Sequence, residues 1–141
     1  MRELQLLVMV VGTLLFPLPA GAVDSLKYEV LDKKPQERRN FVQGLEIVDG
    51  KLYVSSGNYG QSRLMRYNFE DMSLEVSKQL NRRLFAEGVT VLHERVYQLT
   101  WRERMMLVFD KRNLDYVEWF PIPGEGWGLT NDGEHLIYSD G

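Results

Sequence analysis

The feature that most constrains this chain is that it repeats itself. "FVQGLEIVDGKLYVSSG", residues 41–57, aligns with "FAEGVTVLHERVYQLTW", residues 85–101, without a gap through Tyr53 and Tyr97. A third copy, "GWGLTNDGEHLIYSDG", residues 126–141, matches after one inserted residue. Gly44, Gly88 and Gly128 mark the same place in the three copies, 44 and 40 residues apart. A period of about 40–45 residues made of short strands is that of a β-propeller blade.

Each unit also reads internally as strands. In the first, "GLEIV", "KLYVSS", "RLMRYN" and "LEVSKQ" alternate apolar with polar residues and are separated by "DG", "GNYGQS" and "FEDM". In the second, "GVTVL", "RVYQLTW", "MMLVFD" and "YVEWF" do the same. No window after residue 22 keeps a helical period. The expected class is all-β, with four strands per unit. A β-sandwich also has many short strands, but it does not explain why whole units recur.

The N-terminus is of another kind. "MRELQLLVMVVGTLLFPLPAGA" carries Arg2, an apolar run from Leu4 to Phe16, Pro17 and Pro19, and then Ala20-Gly21-Ala22. Small residues at the positions a signal peptidase reads predict a secretory signal peptide over residues 1–22, cut before Val23. The run is shorter than the roughly 20 residues that span a bilayer, so cleavage is favoured over a retained anchor. The expected location is outside the cytoplasm, in a bacterial periplasm or the extracellular space. Residues 23–40, with "DKKPQERRN", read as a solvated polar lead-in. Residues 41–141 then amount to fewer than three blades of about 42 residues, where a closed propeller has at least about four. They are expected to be the N-terminal part of a propeller, roughly its first two and a half blades.

Composition narrows the chemistry. A net charge of −3 with 26% charged residues gives no basic patch for nucleic acid. The chain has no cysteine, which removes disulfides, thiolate metal ligands, a cysteine nucleophile and a lipidated cysteine. Its two histidines, His93 and His135, do not stand at metal-ligand spacing.

The chemistry that remains lies at the start of each unit. "FVQG", "FAEG" and "EGWG" occupy equivalent positions just ahead of the first strands, and first strands line the central channel of a propeller. Phe41, Gln43, Phe85, Glu87 and Trp127 should therefore converge on one mouth, with Trp101 as a wall. An aromatic setting disfavours the charged form of a carboxylate, which tunes Glu87 toward taking and returning a proton near neutrality. Gln43 can orient a polar group but cannot titrate.

The ordered set "FVQGL", "SSGNYGQS", "FAEGVT", "VYQLTW", "GWGL" and "SDG" resembles the plant and bacterial glutaminyl cyclases, or glutamine cyclotransferases. The resemblance covers Phe41 to Gly141 and implies a five-bladed propeller. It implies conversion of the N-terminal glutamine of peptides and proteins to pyroglutamate, with release of ammonia. It implies Glu87 as the proton-transfer carboxylate and Phe41, Gln43, Phe85, Trp101 and Trp127 as substrate-binding residues. Ala86 stands where the family usually has glycine, and the family's further asparagine, tryptophan and lysine would fall beyond Gly141. The family differs from the zinc-dependent animal cyclases, so no catalytic cofactor or metal ligand is expected, with a structural cation left open. Expected partners are substrates with N-terminal glutamine, with no nucleic acid and no stable membrane anchor. The alternatives are a non-enzymatic exported propeller that binds or scaffolds, and an inactive truncated fragment of the cyclase.

Simpler readings accompany these. Without the resemblance, Trp101 and Trp127 would read as packing between blades. Trp119 and Phe120 read as outer-strand packing, and "SSGNYGQS" as a glycine-rich turn without chemistry. His93 reads as an exposed turn residue. Asp132 and Glu134 read as a hairpin turn, with calcium binding second.

Overall fold

The computed structural model describes residues 26–141, so the expected signal peptide lies outside the described residues. The chain divides into two units after residue 32, the second of them residues 33–141. Within the first unit, residues 26–32 form no strand or helix.

The second unit is built of short antiparallel strands. β1 (Val42–Val48), β2 (Lys51–Ser56), β3 (Arg63–Asn68) and β4 (Leu74–Gln79) form one four-stranded sheet in sequence order. β5 (Ala86–Leu92), β6 (Arg95–Thr100), β7 (Met105–Asp110) and β8 (Tyr116–Pro121) form a second. β9 (Leu129–Asn131) and β10 (Leu136–Tyr138) pair as a hairpin. The segments read from alternation therefore are the strands, to within a residue or two at their ends.

Turn chemistry sets the register. Asp49 and Gly50 both take positive φ, 51° and 70°, which is the backbone of a two-residue turn that follows the twist of its strands. It pairs Val48 with Lys51 and Leu45 with Val54. His93 is exposed at a positive φ of 54° in the corresponding turn of the second sheet. Between β9 and β10, the Asp132 carboxylate accepts from the backbone N–H groups of Glu134 and His135. That is the hairpin-turn role expected of "NDGEH".

Strand alternation splits the apolar residues between two faces. Tyr53 and Leu64 of the first sheet pack with Val89, Val96, Leu107 and Phe109 of the second, and this is the main core. Leu52, Val54 and Met65 point to the opposite face of the first sheet. Leu99, Met106 and Ile122 pack toward Leu129 and Tyr138 of the hairpin. Burying one such side chain contributes roughly 1.5–3 kcal/mol, so the interfaces between sheets hold the unit together.

Two glycines set how closely the inner strands approach. A Cβ on Gly44 would stand 2.7 Å from the backbone nitrogen of Val89. A Cβ on Gly88 would stand 2.5 Å from both the nitrogen of Leu129 and the carbonyl oxygen of Trp127. Only glycine lets backbone meet backbone at these points. As a result, β5 lies between β1 and the β9 end, and every residue of β5 is buried.

Candidate active site

The site forms where those inner strands begin. Sequence reading put Gln43 and Glu87 just ahead of the first strands, whereas both lie inside them, in β1 and β5. The pairing register shifts between Val42 and Gly44 and again between Ala86 and Val89. A bulge adds a residue to one strand and re-aims the side chains there, which is how a polar residue within an inner strand comes to face the mouth. Trp127 does precede its strand, β9, as expected.

Gln43 and Glu87, 44 residues apart, touch. The Gln43 amide nitrogen donates to both carboxylate oxygens of Glu87, at 2.9 Å each. Glu87 is only 4% exposed. Burial pushes its carboxyl above the ordinary value for a glutamate, and the amide donor, which favours the ionised form, offsets part of that rise.

A row of aromatic rings adjoins the pair: a Cβ on Gly57 would stand 2.6 Å from the Phe85 ring and 3.0 Å from Gln43 Cγ. Phe41 meets Phe85 at 6.3 Å between ring centres, Phe85 meets Trp101 at 5.5 Å, and Trp101 meets Trp127 at 6.0 Å. All three contacts are edge to face, the geometry that aromatic quadrupoles favour. Phe41 and Trp127, at the two ends of the row, are 50% and 39% exposed and so are not core residues. Backbone contacts repeat around the mouth. The N–H of Gly57 donates to the carbonyl of Phe41 at 2.8 Å, and that of Trp101 to the carbonyl of Phe85 at 2.9 Å. The N–H of Gly88 donates to the carbonyl of Trp127 at 2.8 Å. All six residues singled out from sequence therefore come together.

Sequence reasoning missed several neighbours. Tyr59, in the loop assigned no chemistry, packs its ring against Phe85 at 5.4 Å. Its hydroxyl donates to Glu103 Oε1 at 2.9 Å, and Glu103 Oε2 accepts from the Phe85 backbone N–H at 3.3 Å. Glu125 Oε2 accepts from the indole Nε1 of Trp101 at 2.8 Å. One signal was available: Tyr59 and Glu103 are separated by 44 residues, the same offset as Gln43 and Glu87.

A buried acid held by an amide donor beside aromatic rings can hold and move one proton. Among the described residues no group of three or more His, Cys, Asp or Glu side chains is arranged to hold a metal ion. Among them also, no helix is long and apolar enough to cross a membrane.

Comparison with known proteins agrees with the geometry. The family model described as glutamine cyclotransferase matches residues 5–141. A glutaminyl-peptide cyclotransferase of Arabidopsis thaliana is 34% identical over 115 residues, 80% of this chain and 36% of that protein. The crystal structure of a glutaminyl cyclase from Myxococcus xanthus matches with a TM-score of 0.70 and 29% identity. It covers 80% of this chain and 47% of the solved one. The chain thus spans less than half the length of either relative. With this likeness the two four-stranded sheets are blades of a β-propeller.

Proposed function

The chain belongs to the glutamine cyclotransferase family, and on that premise we propose that it serves a glutaminyl-peptide cyclotransferase. The observation that carries the proposal is the buried Gln43–Glu87 pair beside the edge-to-face row of Phe41, Phe85, Trp101 and Trp127. The substrate is a peptide or protein with an N-terminal glutamine. Its neutral α-amine attacks the δ-carbon of its own side-chain amide, forming the lactam C–N bond. The bond from that carbon to the amide nitrogen breaks.

Only one proton has to move for the atoms to balance. It leaves the attacking amine, passes to the Glu87 carboxylate, and is returned to the departing nitrogen, which leaves as ammonia. A raised carboxyl is suited to both halves of that transfer. Gln43 acts as a positioning residue: its amide nitrogen is committed to Glu87, and its carbonyl oxygen remains to accept from the substrate. Because nucleophile and electrophile belong to one molecule, the aromatic walls have mainly to hold the folded conformer.

Export is part of the proposal, since Ala20-Gly21-Ala22 after an apolar run marks a cleavage site. The protein isolated from its native host should begin near Val23. The activity test is ammonia release from glutamine-initiated peptides, with the same peptides N-acetylated as controls. Release from the free peptides alone is expected. Equal release from acetylated peptides, or none from either, would end the cyclotransferase reading.

A further inference from the structure

Trp101 is held from two sides by residues that take no part in the chemistry above. On its edge, the indole N–H donates to Glu125 Oε2 at 2.8 Å. On its face, the Arg102 guanidinium lies 3.9 Å from the ring centre. Arg102 Nε in turn stands 3.6 Å from Glu125 Oε1, so the three groups close a loop.

The backbone is built to put Glu125 there. The N–H of Gly126 donates to the carbonyl of Trp101 at 3.0 Å. A Cβ at position 126 would stand 2.4 Å from the carbonyl oxygen of Thr100 and 2.9 Å from Leu99 Cβ. Glycine therefore lets the segment between β8 and β9 lie directly against the end of β6, and the preceding residue is delivered to the indole edge.

The ion pair itself is solvated, with 64% of the Arg102 side chain and 37% of the Glu125 side chain exposed. Such a pair adds little to stability. What it changes is orientation. An indole has two broad settings about its second side-chain torsion, and a hydrogen bond at one edge with a cation on one face selects between them. The selected setting is the one that meets Phe85 and Trp127 in edge-to-face contact.

We propose that Glu125 and Arg102 are positioning residues that set substrate affinity by fixing the plane of the Trp101 indole at the mouth of the pocket. This rests on the cyclotransferase reading for its kinetic arm but not for its spectroscopic one. The kinetic expectation is that Glu125→Ala raises KM for glutaminyl peptides by roughly tenfold, the scale of one lost hydrogen bond to a charged group. The turnover number should change much less, because a pocket wall binds ground and transition states alike. Glu125→Gln keeps an acceptor for the indole N–H and should recover most of the affinity.

The test pairs these kinetics with tryptophan emission and acrylamide quenching on the full chain. Glu125→Ala should shift both signals, and the shift should vanish when Trp101→Phe is already present, since Trp119 and Trp127 then carry the fluorescence. If Glu125→Ala fails to fold, Arg102→Ala removes only the stacked cation and is read in the same cycle. The same spectral change with and without Trp101, or an unchanged KM in an active enzyme, would overturn the proposal. A wild type that turns over no glutaminyl peptide would instead sink the cyclotransferase reading, and the fluorescence cycle would still decide the clamp.

Discussion

At the scale of residues, one substitution within a repeat makes the site. Equivalent positions of two blades carry Gln43 and Glu87, and an amide facing a carboxylate is a donor facing an acceptor. Two glutamates there would repel each other, and two glutamines could not titrate. The pair predicts a pH effect. Glu87 must be ionised to accept a proton, so kcat/KM should fall as the pH drops through its raised value. Replacing Gln43 by Leu removes the donor that favours the ionised form and adds apolar surface, and both changes raise the carboxyl further. The acid limb of the kcat/KM profile should therefore move to higher pH in Gln43→Leu, and a limb that stays or moves down contradicts the assignment. The contrast between positions 43 and 87 could be read from sequence because the copies align without a gap. Tyr59 offered only its 44-residue offset from Glu103, because an aromatic in "SGNYGQS" looks like any loop residue until the fold lays it on Phe85.

At the scale of elements, β5 is joined to β1 and β9 without a continuous sheet. β1 and β5 belong to different sheets, yet Glu46 of β1 reaches the backbone N–H of Val91 in β5 at 2.6 Å. From the other side, Asn131 of β9 donates to Thr90 Oγ1 at 2.7 Å and to the carbonyl of Val91 at 3.1 Å. Side chains thus satisfy inner-strand backbone groups that no paired strand can reach. Glu46→Ala should cost about 1–3 kcal/mol, the penalty for leaving a partly buried N–H unpaired. Denaturant unfolding measures the loss, and faster hydrogen exchange at Val91 places it. Unchanged exchange at Val91 would show that the contact does not hold the strand. Alternation made these strands legible, but it did not show how they stack. The pattern "YVEWF" suggested packing for Trp119 and Phe120, yet these residues are 48% and 46% exposed. They do lie on the outermost strand of their blade, where one neighbour is missing, and there side chains stand free on both faces.

At the scale of the whole molecule, the repeat is what gathers a site from residues far apart in the chain. Phe41, Phe85 and Trp127 each stand just ahead of an inner strand, and with Trp101 at the end of β6 they meet in one row. The period announced this architecture before any single strand was assigned, since blades follow from recurrence and not from composition. What the period could not announce is the bracing of Trp101 by Glu125, because that carboxylate comes from the connection between β8 and β9, outside the aligned copies. The central claim is that Glu87 carries the proton from the attacking amine to the departing nitrogen. The most direct test is steady-state ammonia release from a glutamine-initiated peptide by wild type and Glu87→Gln. Glutamine keeps the shape and can still accept from Gln43, but it cannot exchange a proton at neutral pH. The turnover number should fall by about 10²–10⁴-fold with KM within a fewfold of wild type. A Glu87→Gln enzyme that releases ammonia at the wild-type rate would contradict it.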